Sequence, residues 1–308
     1  MIGRKWWVPW LWLTPAFLLL GTFLIYPTVD TVRRSFMDAR SKEWVGLDNY
    51  RFIVENPQPF VSDTHSALLN NGLWLIAFTG TAVLLGLLFA VMASRVRYEA
   101  VAKSAIFIPM AISFVAASVI WKFMYEFNPD IGTVNAVATQ LGKEPSAWLV
   151  DNGSPWGWAG VGSKNDVGPL QMNNLAIIMV GVWMWTGFAM VVLSAGLKSI
   201  STEILEAARV DGANEIQIFW RIILPILSPT IMVVATTLVI LALKMFDLIQ
   251  VMTGGRFDTH VVATLFYKES FVTRDFGVGA ALAVVLLLAV VPIMVVSIRR
   301  FQFQEETR

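Results

Sequence analysis

Six runs of apolar residues, each close to the length needed to cross a bilayer, constrain this chain more than any other feature. A spanning helix needs about 20 mostly apolar residues. The runs fall at about residues 7–32, 73–94, 104–121, 175–197, 226–252 and 276–298. The second, third, fourth and sixth carry no charge, and the fifth is interrupted by Lys244 and Asp247. The first follows Arg4 and Lys5, as a signal peptide would, but stays apolar past Leu20 to Tyr26 without a small-residue cleavage site. It reads as an uncleaved span. The expected fold is therefore an all-α membrane protein with six transmembrane helices in one domain.

Composition narrows the function. Charged residues make up 15% of the chain and mean hydropathy is +0.64, against about 25% charge in soluble proteins. A net charge of +1 leaves no footprint for nucleic acid. With no cysteine, thiolate chemistry and Cys-based metal sites are excluded. The two histidines, His65 and His260, lie far apart and near no carboxylate cluster.

Lys and Arg density sets orientation. One side would hold Arg4, Lys5, Arg95, Arg97, Lys103, Lys198, Arg209, Arg221, Arg299, Arg300 and Arg308. The opposite loops hold a similar number of basic residues over about twice the length, a modest bias. It places both termini and the 198–225 loop in the cytoplasm, with a long 127–172 segment outside.

The 198–225 loop predicts two short helices. Ser201 or Thr202 caps the first, and Glu203 and Glu206 occupy its opening turns, where the helix dipole favours acids. Gly212 ends it, a second helix starts near Asn214, and Pro225 breaks that helix before the fifth span. Amphipathicity alone fits a helix lying on lipid headgroups.

The spacing of Glu206-Ala207-Ala208, Asp211-Gly212-Ala213 and Ile223-Leu224-Pro225 resembles the EAA loop of ABC importer permeases. That resemblance implies a coupling helix docking in a cleft of a cytoplasmic ATPase. Ser201 stands where many relatives have Pro. "FDLIQVMTGG" (246–255), "GLDNY" (46–50), "FIP" (107–109) and "LSAGLKSI" (193–200) resemble the carbohydrate-uptake, maltose and glycerol-phosphate type. Thr259, Tyr267 and Phe271 fit the same pattern, whereas Arg256-Phe257 replaces the usual Gly-Pro. The likeness covers nearly the whole chain except 127–172, a segment whose length resembles permeases for α-glucosides and related glucosyl compounds.

The chain has no G-x-x-x-x-G-K-[ST] phosphate loop; Gly142-Lys143 is followed by Glu144. The resemblance implies a transport subunit rather than an enzyme, with ATP and magnesium held by partners. Those partners are two ATPase subunits, a second, non-identical permease and an extracytoplasmic solute-binding protein, assembled in the cytoplasmic membrane of a prokaryote. The implied substrate is an oligosaccharide, α-glucoside or glucosyl-polyol.

Carried over by position, the substrate pathway would include Leu238, Leu241, Ala242, Met245 and Asp247 of the fifth span. The fourth would add Thr186, Gly187 and Met190, flanked by Trp183 and Trp185, and the third Met110. Lys244 and Asp247, three apart, either pair on one helical face or snorkel to the interface. In the outer segment, residues 131–141 predict a short helix; Trp148, Trp156 and Trp158 can stack on a sugar, anchor at the interface or contact the binding protein. An ion-coupled secondary transporter of a small polar solute is the alternative, with only Lys244 and Asp247 as intramembrane coupling groups.

Overall fold

The computed structural model describes residues 7–55, 60–94, 96–150 and 171–306. Among these the regular structure is helical apart from one isolated bridge between Met37 and Trp44. Arg4, Lys5, Arg95, Trp156, Trp158 and Arg308 lie outside the described residues. The chain divides into two units, residues 1–61 with 265–287, and residues 62–264 with 288–308.

In the first unit, helix α1 (Val8–Arg34) matches the first expected span. Beyond it, the "GLDNY" stretch opens a short helix, α2 (Asp48–Glu55). The buried Asn49 side chain donates to the carbonyls of Ser35 (2.9 Å) and Met37 (2.7 Å), and the Tyr50 hydroxyl bonds Ser35 Oγ at 2.7 Å. These bonds hold the turn just past the end of α1, where backbone carbonyls have no helical partner.

The second unit holds α3 (Ala67–Ala93), α4 (Glu99–Ala111), α5 (Phe114–Met124), α6 (Thr133–Gln140), α7 (Met172–Lys198), α8 (Thr202–Val210), α9 (Glu215–Leu243) and α10 (Asp247–Met252). Helix α11 (Val262–Tyr267) leads from this unit back to the first, and α12 (Phe276–Glu306) closes the chain. Helices α3 and α7 form the core of the second unit. Trp74, Phe78, Ala82, Ala90, Ile177, Ala189 and Leu193 are all fully buried there. Alanines at the crossing let two membrane helices approach closely.

Among the described residues, four helices are long and apolar enough to span a membrane. The expected third span, 104–121, is not one straight helix: α4 and α5 meet at 98°. The "FIP" motif lies at the break. Pro109 sits in a 3₁₀ turn, Ile112 and Ser113 are extended (ψ 137° and 149°), and Ser113 Oγ accepts the Ala116 N–H to start α5. The broken pair counts as a fifth span, and α12 begins where the sixth was expected.

Pro225 does not break the helix before the fifth span. Helix α9 runs unbroken from Glu215 to Leu243, with a π turn at Phe219–Ile223 just ahead of the proline. A π turn loosens the ladder where the proline lacks its N–H, so the helix continues. The break comes later, at Lys244–Phe246, and the span expected to reach residue 252 becomes α9 plus α10.

Candidate functional site

Ser201 is the N-cap of α8; its Oγ accepts the Glu203 N–H at 3.2 Å. The helix lasts nine residues. Gly212 takes φ +85°, a left-handed conformation that ordinary L-residues adopt only at a cost. Asn214 opens α9 with a capping box in which its Oδ1 accepts the Gln217 N–H and Gln217 Oε1 accepts the Asn214 N–H. Arg209 and Glu215 close the corner with a 2.9 Å ion pair. No residue of α8 is buried. Glu206, Ala207, Asp211 and Gly212 are exposed, and Ala208 and Ala213 half-buried. Val210 (87% exposed) and Ile216 (71%) stand in the open beside them. All six residues expected to couple are thus gathered on one projecting corner.

The corner is anchored at its base by a cluster the sequence reading did not single out. Glu99, the first residue of α4, binds Lys198 at 2.9 Å and also Lys103, whose ammonium reaches Ser194 Oγ. Lys198 is the last residue of α7, three before the cap of α8.

The residues expected along the pathway divide into two groups. Leu241, Lys244, Met245 and Asp247 line one cavity of about 290 Å³ with Phe114, Trp185, Thr237, Ile240 and Phe246. Lys244 is the C-cap just past α9 and Asp247 begins α10, so they do not share one helical face, and neither enters an ion pair among the described residues. Both are exposed. Trp185 stacks on Phe114 at 6.3 Å, and its buried indole N–H has no hydrogen-bond partner.

The second group lies in helix packing. Met190, Leu238 and Ala242 are fully buried. Thr186 Oγ1 donates back to the Val182 carbonyl at 2.7 Å. A Cβ on Gly187 would stand 2.5 Å from the Ile106 carbonyl oxygen, so this glycine lets α7 and α4 touch. Met110 is half-buried in the 3₁₀ turn. Trp183 packs edge-on against Trp121 at 5.5 Å; of the Trp183/Trp185 pair, it is Trp185 that meets the cavity. Phe114 and Thr237 were missed in the sequence; for Thr237 the signal was its spacing of four and seven from Leu241 and Lys244, one helical face.

At the end of α7 remote from α8, four buried asparagines grip the 253–262 loop. Gly254, Gly255, Phe257 and Asp258 all have positive φ. Asn70 donates to the carbonyls of Asp258 (2.6 Å) and His260 (2.8 Å), and Asn173 donates to that of Phe257 (2.7 Å). Asn174 donates to Asn70 Oδ1 at 2.9 Å, and Asn71 Oδ1 accepts the Val262 N–H at 2.8 Å. Arg256-Phe257 therefore replaces Gly-Pro inside a clamped left-handed turn. Trp148 donates to Asn135 Oδ1 at 2.9 Å and stacks on Tyr125, which ties down the segment after α6.

The profile of the family described as "Binding-protein-dependent transport system inner membrane component" matches residues 82–304. This chain belongs to that family. The permease is 49% identical over 302 residues to the osmoprotective compounds uptake permease protein GgtC of Synechocystis sp., covering 97% of this chain and 100% of that protein. It is 40% identical to the alpha-glucoside transport system permease protein AglF of Rhizobium meliloti, covering 94% and 81%. Its fold resembles a chain of the bacterial ABC transporter involved in import of the acidic polysaccharide alginate, with a TM-score of 0.74, 23% identity and coverage of 95% and 96%. The permease is thus a membrane-embedded transport component of an ABC importer, and nothing in these likenesses favours ion coupling.

Proposed function

We propose that this permease is one of two non-identical halves of a transmembrane pathway for a glucosyl compound, and that α8 is where ATP hydrolysis on partner subunits is converted into opening and closing. The observation that carries this reading is the bare α8 corner, rooted in α7 and α9. Those two helices also wall the 290 Å³ cavity, through Trp185 on one and Thr237, Ile240 and Leu241 on the other. Force applied to the corner is delivered along continuous helices, from Lys198 to Trp185 and from Glu215 to Leu241, over about 20 and 39 Å at 1.5 Å per residue. Two ATPase subunits, holding ATP and magnesium, would grip the two permeases from the cytoplasm. Both termini would lie on that side, and a binding protein would deliver solute from the other.

The cavity suits a neutral polyhydroxy solute. Trp185 and Phe114 offer aromatic faces, the free indole N–H one donor, and Lys244 and Asp247 a charged donor and acceptor. Sugar sites combine such apolar faces with a few convergent polar groups. Two relatives, named for uptake of osmoprotective compounds and of alpha-glucosides, support a glucosyl solute.

The chain contains no cysteine, so a single thiol placed by Glu206→Cys is unique within it. Cross-linking that thiol to the co-expressed ATPase subunit, with inhibition of transport reversed on reduction, is the expected result. A corner that labels freely in the assembled importer and cross-links to no ATPase would refute the assignment.

A further inference from the structure

A second and larger chamber lies at the far end of α5 from the solute cavity. It measures about 780 Å³ and is built from the end of α5, residues 147–150 and the stretch 250–257. It sits remote from the α8 corner: Phe257 on its wall accepts from Asn173, in the first turn of α7, some 25 residues from Lys198 or about 38 Å along the helix. Between the two chambers α5 and α10 pack together, with Leu248 and Ile249 fully buried. Lys122 Nζ, at the edge of the larger chamber, lies 3.4 Å from the Val251 carbonyl.

Four polar side chains converge there: Lys122, Glu126, Gln250 and Arg256. Among the described residues the Gln250 amide and Arg256 guanidinium make no side-chain hydrogen bond. Phe123 (62% exposed) and Phe257 (43%) present open rings on the same wall. Large exposed aromatics beside polar groups of both signs, with the Gln250 amide and the Arg256 guanidinium open to a partner, do not suit a lipid face or a packed core. They suit a ligand with hydroxyls on its edges and C–H on its faces. The volume falls within the roughly 300–1,000 Å³ of small-molecule sites. The wall is also pre-shaped, because the asparagine clamp fixes the loop that carries Arg256 and Phe257 before anything binds.

We propose that this chamber is a separate entry site for the solute, occupied by a glucoside after its release from the binding protein and before α5 and α10 part to admit it to the inner cavity. The inference rests on the glucosyl reading above. In it Gln250 and Arg256 bond solute hydroxyls, and Phe123 and Phe257 stack on the pyranose face.

The test uses the assembled importer in vesicles, with cysteine-free partners and single Gln250→Cys or Val150→Cys substitutions in this chain. Val150, half exposed on the chamber's rim, is the safer site for folding. Maleimide labelling is timed with binding protein that is empty or loaded with maltose, sucrose or glucosylglycerol, and uptake of the same radiolabelled probes is measured. The expected result is labelling slowed several-fold by loaded but not by empty binding protein, at both positions. Equal slowing by empty binding protein would make the occupant a protein surface and overturn the inference. Unchanged labelling in vesicles that take up a probe would overturn it as well, while leaving the glucosyl reading intact. Failure of the wild-type importer to take up any of the probes would instead strike down the glucosyl reading, and this inference with it.

Discussion

Replacing Gly212 tests the corner through backbone conformation alone. The residue sits at φ +85°, and a Cβ built on it meets no atom within 4 Å. Space is therefore not the issue, and the cost of a side chain is the left-handed backbone itself. That cost is roughly 1–2 kcal/mol for an ordinary L-residue. It lowers the ratio of permeases holding the corner to those that have lost it by roughly 5- to 30-fold. Asparagine tolerates this region through local hydrogen bonds, whereas a β-branched valine is the least suited to it. The expected order is Gly, Asn, Ala, Val in two assays: ATPase stimulation by loaded binding protein, and the concentration of ATPase subunit that half-saturates the permease pair. Because docking selects the bent conformer, the loss reads as weakened apparent affinity, by up to that factor. A flat series, or an Asn variant no better than Val, would refute the claim that the corner's geometry matters. Normal uptake by Gly212→Arg, which adds bulk as well as strain, would weigh further against it.

Other outcomes follow from other parts of the structure. Ser201→Ala removes the cap of α8 and should cost about 1 kcal/mol of local helix stability, read as faster amide exchange over residues 202–210 with uptake reduced but not lost. Glu99→Gln should release Lys198 and lower the solute transported per ATP hydrolysed; an unchanged ratio would show that the cluster does not steady the corner. Met245→Trp should block uptake while the complex still assembles, because Met245 is buried on the wall of a 290 Å³ cavity; unchanged transport would remove the fifth span from the pathway. Asn70→Ala removes the two hydrogen bonds that hold the Asp258 and His260 carbonyls of the 253–262 loop, and losing a buried hydrogen-bond partner costs about 1–3 kcal/mol. It should lower the melting temperature in detergent and expose the loop to protease, and an unaltered melt would contradict the clamp.

Much of this architecture was legible in the sequence because lipid allows few alternatives. A chain segment crossing hydrocarbon must satisfy its backbone internally, so long apolar runs become helices. The corner was legible for a local reason: Ser201, Gly212 and Asn214 each do at one position what their side chains or lack of one permit. Where the reading failed, local signals competed. Pro109 and Pro225 are both helix breakers by type. One bends the chain by 98°, with Ser113 beside it to cap the next helix, and the other is absorbed by a π turn. Nothing in the residues alone separates these outcomes, because the choice rests on what each helix packs against. Likewise Lys244 and Asp247 lie three apart in the sequence, yet the break at Met245 and Phe246 turns them from a pair on one helix into the end of one and the start of the next. The asparagine clamp joins positions 70 and 258, a separation that no periodicity reveals.

Energy source is the most direct test of the whole account. Uptake of a labelled α-glucoside should be followed in proteoliposomes holding both permeases and the loaded binding protein, with and without the ATPase subunits and ATP. Transport is expected only when the ATPase and ATP are both present, and none is expected from a proton or sodium gradient alone. Uptake sustained by an ion gradient in the absence of the ATPase would contradict it.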